Sequence, residues 1–485
     1  MSLAVLLPGF VGTELPSWLE DRLRDGLGGV CLFGMNISSP EQLRELTSAI
    51  YAANPHAVIA IDEEGGDVTR LYQAQGSPFP GNAVLGRLDD VALTERTGAQ
   101  VGSELRDAGV GLALAPDADV NSNPLNPVIG VRSFGDEPEL VARHVAAWTK
   151  GIEATGVASC AKHFPGHGDT SADSHHALPV IRVSASTLGG RELVPFRAAI
   201  DAGASTVMTS HIMVPALDPE QPATFSRRIL TTVLRGELGF EGVIVTDALD
   251  MAGASATRGI PGAAVAALAA GADLLCIGTR NTDTQLAAIL AAIDAAVSDG
   301  TLPSDSVETA AARVRSLGAE LALARARIAV PCDLTQGEIP GLSRQDVARA
   351  FHVSDAARAL FSSSPGRPLA WVALESEPNM AVGQAPWGAF AAGAVPSASL
   401  REGEDTATLS IASGALVVAV GKDLHRHPFM REAIAALGDG NDVLVVDMGW
   451  PAPGFSGVDI ATFGASRLVG EALIDLIGCD SCASE

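Results

Sequence analysis

Positive charge is scarce in this chain. Across 485 residues, 32 lysines and arginines face 57 aspartates and glutamates, a formal net charge of −25. That balance excludes a nucleic-acid partner and repels anionic membrane surfaces, and we read the excess acid as a solvated surface. Cysteine is sparse as well. The six are Cys31, Cys160, Cys276, Cys332, Cys479 and Cys482, with no spacing that suggests a disulfide framework. Three of them sit in apolar runs, where cysteine behaves as a small hydrophobe. Cys479 and Cys482 have the spacing of half a zinc site, and no second half accompanies them. No run of about twenty apolar residues is present, so no membrane span is expected. The first eight residues lack a basic flank, and their apolar run is too short for a signal peptide. A cytoplasmic location is the expectation. No feature specifies an oligomer.

What the chain has in quantity is apolar residues, 47%, in short runs that alternate between strand and helix patterns. Strands are expected at 3–7, 29–33, 57–61, 110–115, 157–161, 206–209, 242–246 and 274–277, each followed by a helical stretch. Eight strand–helix units in about 300 residues predict a parallel sheet with right-handed crossovers, and suit a (β/α)8 TIM-like barrel. Polar residues fall directly after these strands: Asp62, Asp117 and Asp119, Lys162 and His163, Ser210 and His211, and Asp247. In a barrel such ends share one mouth, whereas an open doubly wound sheet, the competing fold, spreads them along an edge. The barrel is expected over 1–330 and a linker with a helix over 331–366. The strand pattern then restarts, so a smaller C-terminal α/β sandwich domain is expected over 367–485. The linker's helix is expected at 343–361 and, in the C-terminal domain, a loop at 383–394; Asp447, His425 and His427 read as structural or surface residues.

The stretch from Lys162 to His176 stands out, because it holds four of the ten histidines. A Gly/Pro turn capping the next helix explains Asp169 and Thr170 but not Lys162-His163 or Asp173-Ser174-His175. A metal site built on His163 and His167 needs a helix to align them, and Pro165-Gly166 forbids one. Acid/base catalysis fits better, with a histidine oriented by an aspartate two residues away. Asp247 follows the apolar run Val243-Ile244-Val245, where an aspartate often merely caps the next helix; Asp250 is open to the same reading. On the face that carries the His loop, however, a carboxylate opposite a proton donor is the minimum kit for retaining glycoside cleavage. Asp62, Arg70, Arg132, Lys162 and His163 offer the donors and acceptors a polyol requires. For both arginines, a surface charge or an ion pair with a neighbour is the plainer alternative.

These segments resemble a known family. Lys162-His163-Phe164-Pro165-Gly166-His167-Gly168, continuing to Asp173-Ser174-His175, is similar to the signature of β-N-acetylglucosaminidases of glycoside hydrolase family 3. Ile61-Asp62-Glu63-Glu64-Gly65-Gly66 with Arg70-Leu71 resembles its sugar-binding segment. Asp119-Val120-Asn121, Asn126 to Gly130 and Arg132-Ser133-Phe134-Gly135 match another segment, and Val245-Thr246-Asp247-Ala248-Leu249 resembles the nucleophile segment. The resemblance implies Asp247 as nucleophile and His175 as general acid/base with Asp173 as its partner. It implies Asp62, Arg70, Arg132, Lys162 and His163 as ligands of a terminal N-acetylglucosamine. The implied partner is a small carbohydrate, with no metal or cofactor. For cytoplasmic members it implies recycling of cell-wall fragments. One departure is Asp67, where the family often has arginine.

Three other functions are carried alongside. The first is a phosphorylase on the same scaffold, because a histidine acid/base does not repel phosphate as a carboxylate does. The second is a catalytically silent sugar-binding protein, and the third a metal-dependent hydrolase.

Overall fold

The computed structural model describes residues 2–171, 178–327, 337–363, 367–377, 381–409, 411 and 414–478. Eight short apolar runs form strands: β1 (Leu6–Pro8), β2 (Gly29–Leu32), β3 (Val58–Ile61), β4 (Leu112–Ala113), β5 (Cys160–Phe164), β6 (Thr206–Thr209), β7 (Val243–Val245) and β8 (Leu275–Gly278). Every residue in them is buried, as expected of parallel strands covered on both faces.

Pairing is parallel throughout. Ladders join β8 to β1, β2 to β3 to β4, and β5 to β6 to β7. Parallel bridges Leu112–Ala158, Asp117–Lys162 and Val245–Leu274 connect β4 to β5 and β7 to β8. Side-chain alternation shows how the sheet is used. Leu7, Cys31, Ala60, Leu112, Cys160, Met208, Val245 and Cys276, one from each of the eight strands, belong to a single buried cluster. Their neighbours, such as Leu6, Val30, Ile59, Ala161, Val207 and Ile244, pack outward with the helices. One inner and one outer apolar layer from period-two alternation is the packing of a (β/α)8 barrel. Val314, Leu317 and Leu321 of the helix Ser304–Arg327 join the inner cluster.

Two of the expected strands are shifted. Residues 2–5 form a 3₁₀ turn, so β1 starts at Leu6. The fifth strand runs on past Ala161, because Lys162 bridges Asp117 and Phe164 pairs with Thr209. Lys162 and His163 therefore lie inside β5 rather than after it.

The C-terminal part builds a second sheet. Its strands are β9 (His352–Val353), β10 (Leu369–Glu375), β11 (Ala398–Arg401), β12 (Leu416–Gly421), β13 (Asp442–Asp447) and β14 (Ile460–Ala461), in the order β11-β10-β12-β13-β14-β9. All pairs are parallel except β14 with β9. The helix Pro428–Gly438 packs on one face through Met430, Ala433 and Leu437. The helix Arg467–Gly478 packs on the other through Val469, Ala472 and Leu473, giving three layers. The single helix expected over 343–361 is two, Arg344–Ala348 and Asp355–Ser363. His352 and Val353 break away to pair with β14, and Ser354 caps the second helix by accepting from the Ala357 amide. The loop expected over 383–394 contains a short helix, Gly388–Ala391.

The two sheets share a core. Val84, from the helix Asn82–Leu88 that follows β3, sits in the inner cluster of the second sheet with Phe351 and Val469. No helix among the described residues is long and apolar enough to cross a membrane.

Candidate active site

The ends of β3, β4 and β5 bring one group of charged side chains together. Lys162, on β5, points its ammonium at two carboxylates from the segment after β3: Nζ is 2.8 Å from Asp62 Oδ1 and 2.8 Å from Glu64 Oε1. Arg132 closes on the same Glu64 through both arms of its guanidinium. Nε donates to Oε2 at 3.0 Å and Nη2 to Oε1 at 2.7 Å, the planar fork that arginine offers a carboxylate. Asn82 steadies Arg132 by donating to its carbonyl at 2.6 Å. His163 follows Lys162 across a cis peptide bond. Its Nδ1 is 2.7 Å from Asp119 Oδ2 and its Nε2 is 3.3 Å from Arg132 Nη2. Arginine only donates, so Nε2 is the acceptor and Nδ1–H donates to Asp119. Asp119 is also bonded by the His167 amide, at 2.6 Å. Arg70 Nη2 lies 3.7 Å from Asp62 Oδ2 and donates to the Ala381 carbonyl at 2.7 Å.

Of the eight residues singled out from sequence, five are thus in one network: Asp62, Arg70, Arg132, Lys162 and His163. Asp247 lies half-buried just beyond β7, where Oδ1 accepts from the Ala248 amide at 2.7 Å, and its charge reaches His167. Asp173 and His175 lie outside the described residues. Asp250, the second candidate carboxylate, is exposed; it accepts from the Thr279 amide at 3.3 Å and lies against Gly278, at the end of β8. The ion-pair alternative for Arg132 is realised, but with Glu64 and fully buried.

Three members of the network were not assigned roles from sequence: Glu64, Asp117 and Asp119. Their signal is position, three residues past β3 for Glu64 and four and six past β4 for Asp117 and Asp119, and the Glu63-Glu64-Gly65-Gly66 run. Burial works against the Glu64 charge, yet Arg132 and Lys162 outweigh it and hold the carboxyl well below its ordinary range. Burial likewise opposes the Asp62 charge, and Lys162 and Arg70 overcome it. For Asp119, His163 and the His167 amide overcome burial. Asp117 goes the other way: burial, and the Asp119 charge beside it, push its carboxyl well above the usual range. The network thus sets the carboxyls of Asp62, Glu64 and Asp119 against the cations Arg70, Arg132 and Lys162, with Asp117 pushed toward its protonated form.

Asp117, Asp119 and His163 lie close enough to share a metal ion. Arg132 Nη2 already stands 3.7 Å from Asp117 Oδ2, and His163 Nδ1 is taken by Asp119. A dication there would face a guanidinium, so these residues fit a hydrogen-bond network and not a metal.

The loop after β5 is tied down from several sides. Asn126 Nδ2 donates to the carbonyls of His167 and Gly168, each at 2.9 Å. Arg191 bonds Asp169 at 2.6 Å. Burial pushes the His167 ring down to about 4, so it is neutral near pH 7. His211, after β6, reaches across to accept or donate at Thr224 and donates from Nε2 to the Ala248 carbonyl at 3.0 Å, next to Asp247.

Comparison with known proteins agrees with this arrangement. The model of the glycosyl hydrolase family 3 N-terminal domain matches residues 13–317. β-Hexosaminidase A of Pseudoalteromonas piscicida is 36% identical over 345 residues, covering 66% of this chain and 58% of that protein, so the chain spans less than two thirds of that relative. A β-hexosaminidase of Chromobacterium violaceum is 41% identical over 293 residues, covering 58% of this chain and 80% of that protein. The structure of a glycoside hydrolase family 3 β-N-acetylglucosaminidase from Paenibacillus sp. str. FPU-7 superposes with a TM-score of 0.85 at 30% identity, over 98% of this chain and 95% of that one. With the family's domain matched across more than half its length, and with its barrel and second sheet superposing on a solved member, the chain belongs to glycosyl hydrolase family 3.

Proposed function

We propose that the protein is a retaining exo-β-N-acetylglucosaminidase, removing non-reducing terminal N-acetylglucosamine from cell-wall-derived or related glycosides. The observation that carries this reading is the network of fixed donors and acceptors at the ends of β3, β4 and β5, with Asp247 on the same strand-end face. Carboxylates that accept, beside a lysine and arginines that donate, suit a hydroxyl-rich ligand. The names of the relatives, β-hexosaminidases and a β-N-acetylglucosaminidase, support the same substrate class.

In this reading Asp62 accepts from sugar hydroxyls, while Lys162, Arg70 and Arg132 donate and His163 stays fixed between Asp119 and Arg132. Asp247 attacks the anomeric carbon as the bond to the leaving oxygen breaks. His175, oriented by Asp173, gives its proton to that oxygen. Water then enters. His175 takes its proton, and the oxygen displaces Asp247 from the sugar with net retention. Binding energy from the network would go into holding the ring while the anomeric centre flattens.

The test is product identity. The purified chain is incubated with an aryl β-N-acetylglucosaminide, with and without phosphate, and the released sugar is identified by mass spectrometry. Free N-acetylglucosamine under both conditions is expected. N-acetylglucosamine 1-phosphate as the main product would make the enzyme a phosphorylase, and no sugar release would overturn the catalytic reading.

A further inference from the structure

Between Asp62 and Arg70 the chain makes a tight turn, and its residues are gripped from two directions. From within the barrel, Glu63 Oε2 accepts from the Thr69 hydroxyl at 2.8 Å and from the Arg70 and Leu71 amides at 3.0 Å each. The Glu64 amide donates to the Val68 carbonyl at 3.0 Å across the turn. From outside, the second domain holds the two charged residues that remain. Asp67, buried at 4% side-chain exposure, is ion-paired with Lys422, just past β12, and accepts from the Ala465 amide at 2.7 Å. Arg70 donates to the carbonyls of Ala381 and Val382, at 2.7 and 3.4 Å. Its guanidinium keeps one edge toward Asp62, at 3.7 Å.

Asp67 itself does not meet the network. Its two partners belong to a different sheet, and its burial makes sense only with both in place, because an isolated buried carboxylate is costly. Nor is the grip general adhesion between the two halves. That is supplied elsewhere by apolar contacts around Val84 and by Arg87, whose Nε donates to the Ala350 carbonyl at 2.5 Å and whose guanidinium covers the Phe463 ring at 3.7 Å. The Asp67 contacts fall specifically on the turn that ends in Arg70.

We infer that Asp67 and Lys422 are positioning residues for the sugar site, through which the second domain sets the turn that presents Asp62 and Arg70. The inference rests on the reading of Asp62 and Arg70 as sugar ligands. It assigns the second domain a part in glycone binding without placing any of its side chains on the sugar.

The test uses the full chain carrying Lys422→Met, Asp67→Asn, Lys422→Arg or Arg87→Ala. Four quantities are measured for each: kcat, KM, the Kd of N-acetylglucosamine by calorimetry, and Tm. Loosening the turn by a fraction of an ångström should lower kcat/KM of K422M and D67N by about ten- to a hundredfold, with KM and the Kd rising together. K422R should recover most of the loss. R87A should lower Tm while leaving kcat/KM within about twofold of wild type, because it loosens the halves without touching the turn. Unchanged KM and Kd in K422M and D67N, with normal wild-type binding, would overturn the positioning role alone. So would an equal loss in R87A. A wild-type chain that fails to bind N-acetylglucosamine would overturn the sugar-site reading and this inference with it.

Discussion

Lys162 is the residue on which the charge network depends. It is 2% exposed and stands between Asp62 and Glu64. Lys162→Met takes the ammonium from Asp62 and Glu64 and leaves them to Arg70 and Arg132 alone, and removing one partner of a buried ionic group costs roughly 3–5 kcal/mol. Urea unfolding at neutral pH should show a loss of that order. The loss should shrink below about pH 4, where the stranded carboxyls take up protons. Asp247→Ala should cut kcat by about a thousandfold or more, with circular dichroism unchanged. Near-normal activity would move the nucleophile to Asp250. Glu63 supplies a prediction of opposite sign. Burial, opposed by its three donors, pushes its carboxyl up to about 7 from an ordinary 4.5. The folded chain therefore binds more protons than the unfolded chain between those values, and stability falls as pH rises through that window, then levels off. Glu63→Gln keeps the acceptor and removes the titration. It should flatten the fall by about 3 kcal/mol when unfolding is followed from pH 4.5 to 7.5.

At the scale of elements, the loop after β5 is held by close backbone approach. A Cβ on Gly168 would lie 1.6 Å from the Val120 carbonyl oxygen. Gly168→Ala should push the loop off the β4 segment and lower kcat/KM about a hundredfold while the fold survives. A variant with wild-type kinetics and an unshifted Tm would show that the loop tolerates the displacement. This is also the scale at which the sequence is most and least readable. Thr206–Thr209 is expected at its observed bounds, and β2, β3, β7 and β8 within one residue at each end, because each is a short apolar run closed by polar residues or glycine. Strand β5 was misjudged at its end. Lys162 and His163 read as polar residues just after the strand, but the bridge to Asp117 keeps them in the sheet. Strands β9 and β14 have two residues each, too few for any period to register. Within the site, Asp62, Lys162 and His163 were legible as polar residues at strand ends. Glu64 was not, because its meaning lies in Arg132 and Lys162, which reach it only once β3, β4 and β5 are side by side.

At the scale of the molecule, the barrel and the second sheet share both a core cluster and a buried charge pair. Calorimetry of the wild type should therefore give one cooperative endotherm, and Lys422→Met should broaden or split it; two well-separated transitions in the wild type would argue against the coupling. The Asp67 contacts have a consequence for the chain as it is made. Synthesis runs from the N-terminus, so Asp67 leaves the ribosome roughly 350 residues before Lys422 and nearly 400 before Ala465. Once β8 has been made, at Gly278, a nascent barrel has its strands but an ungripped Asp62–Arg70 turn. If Asp62 and Arg70 bind the sugar as proposed, that pocket is finished only when the second sheet docks, and full activity comes late in translation.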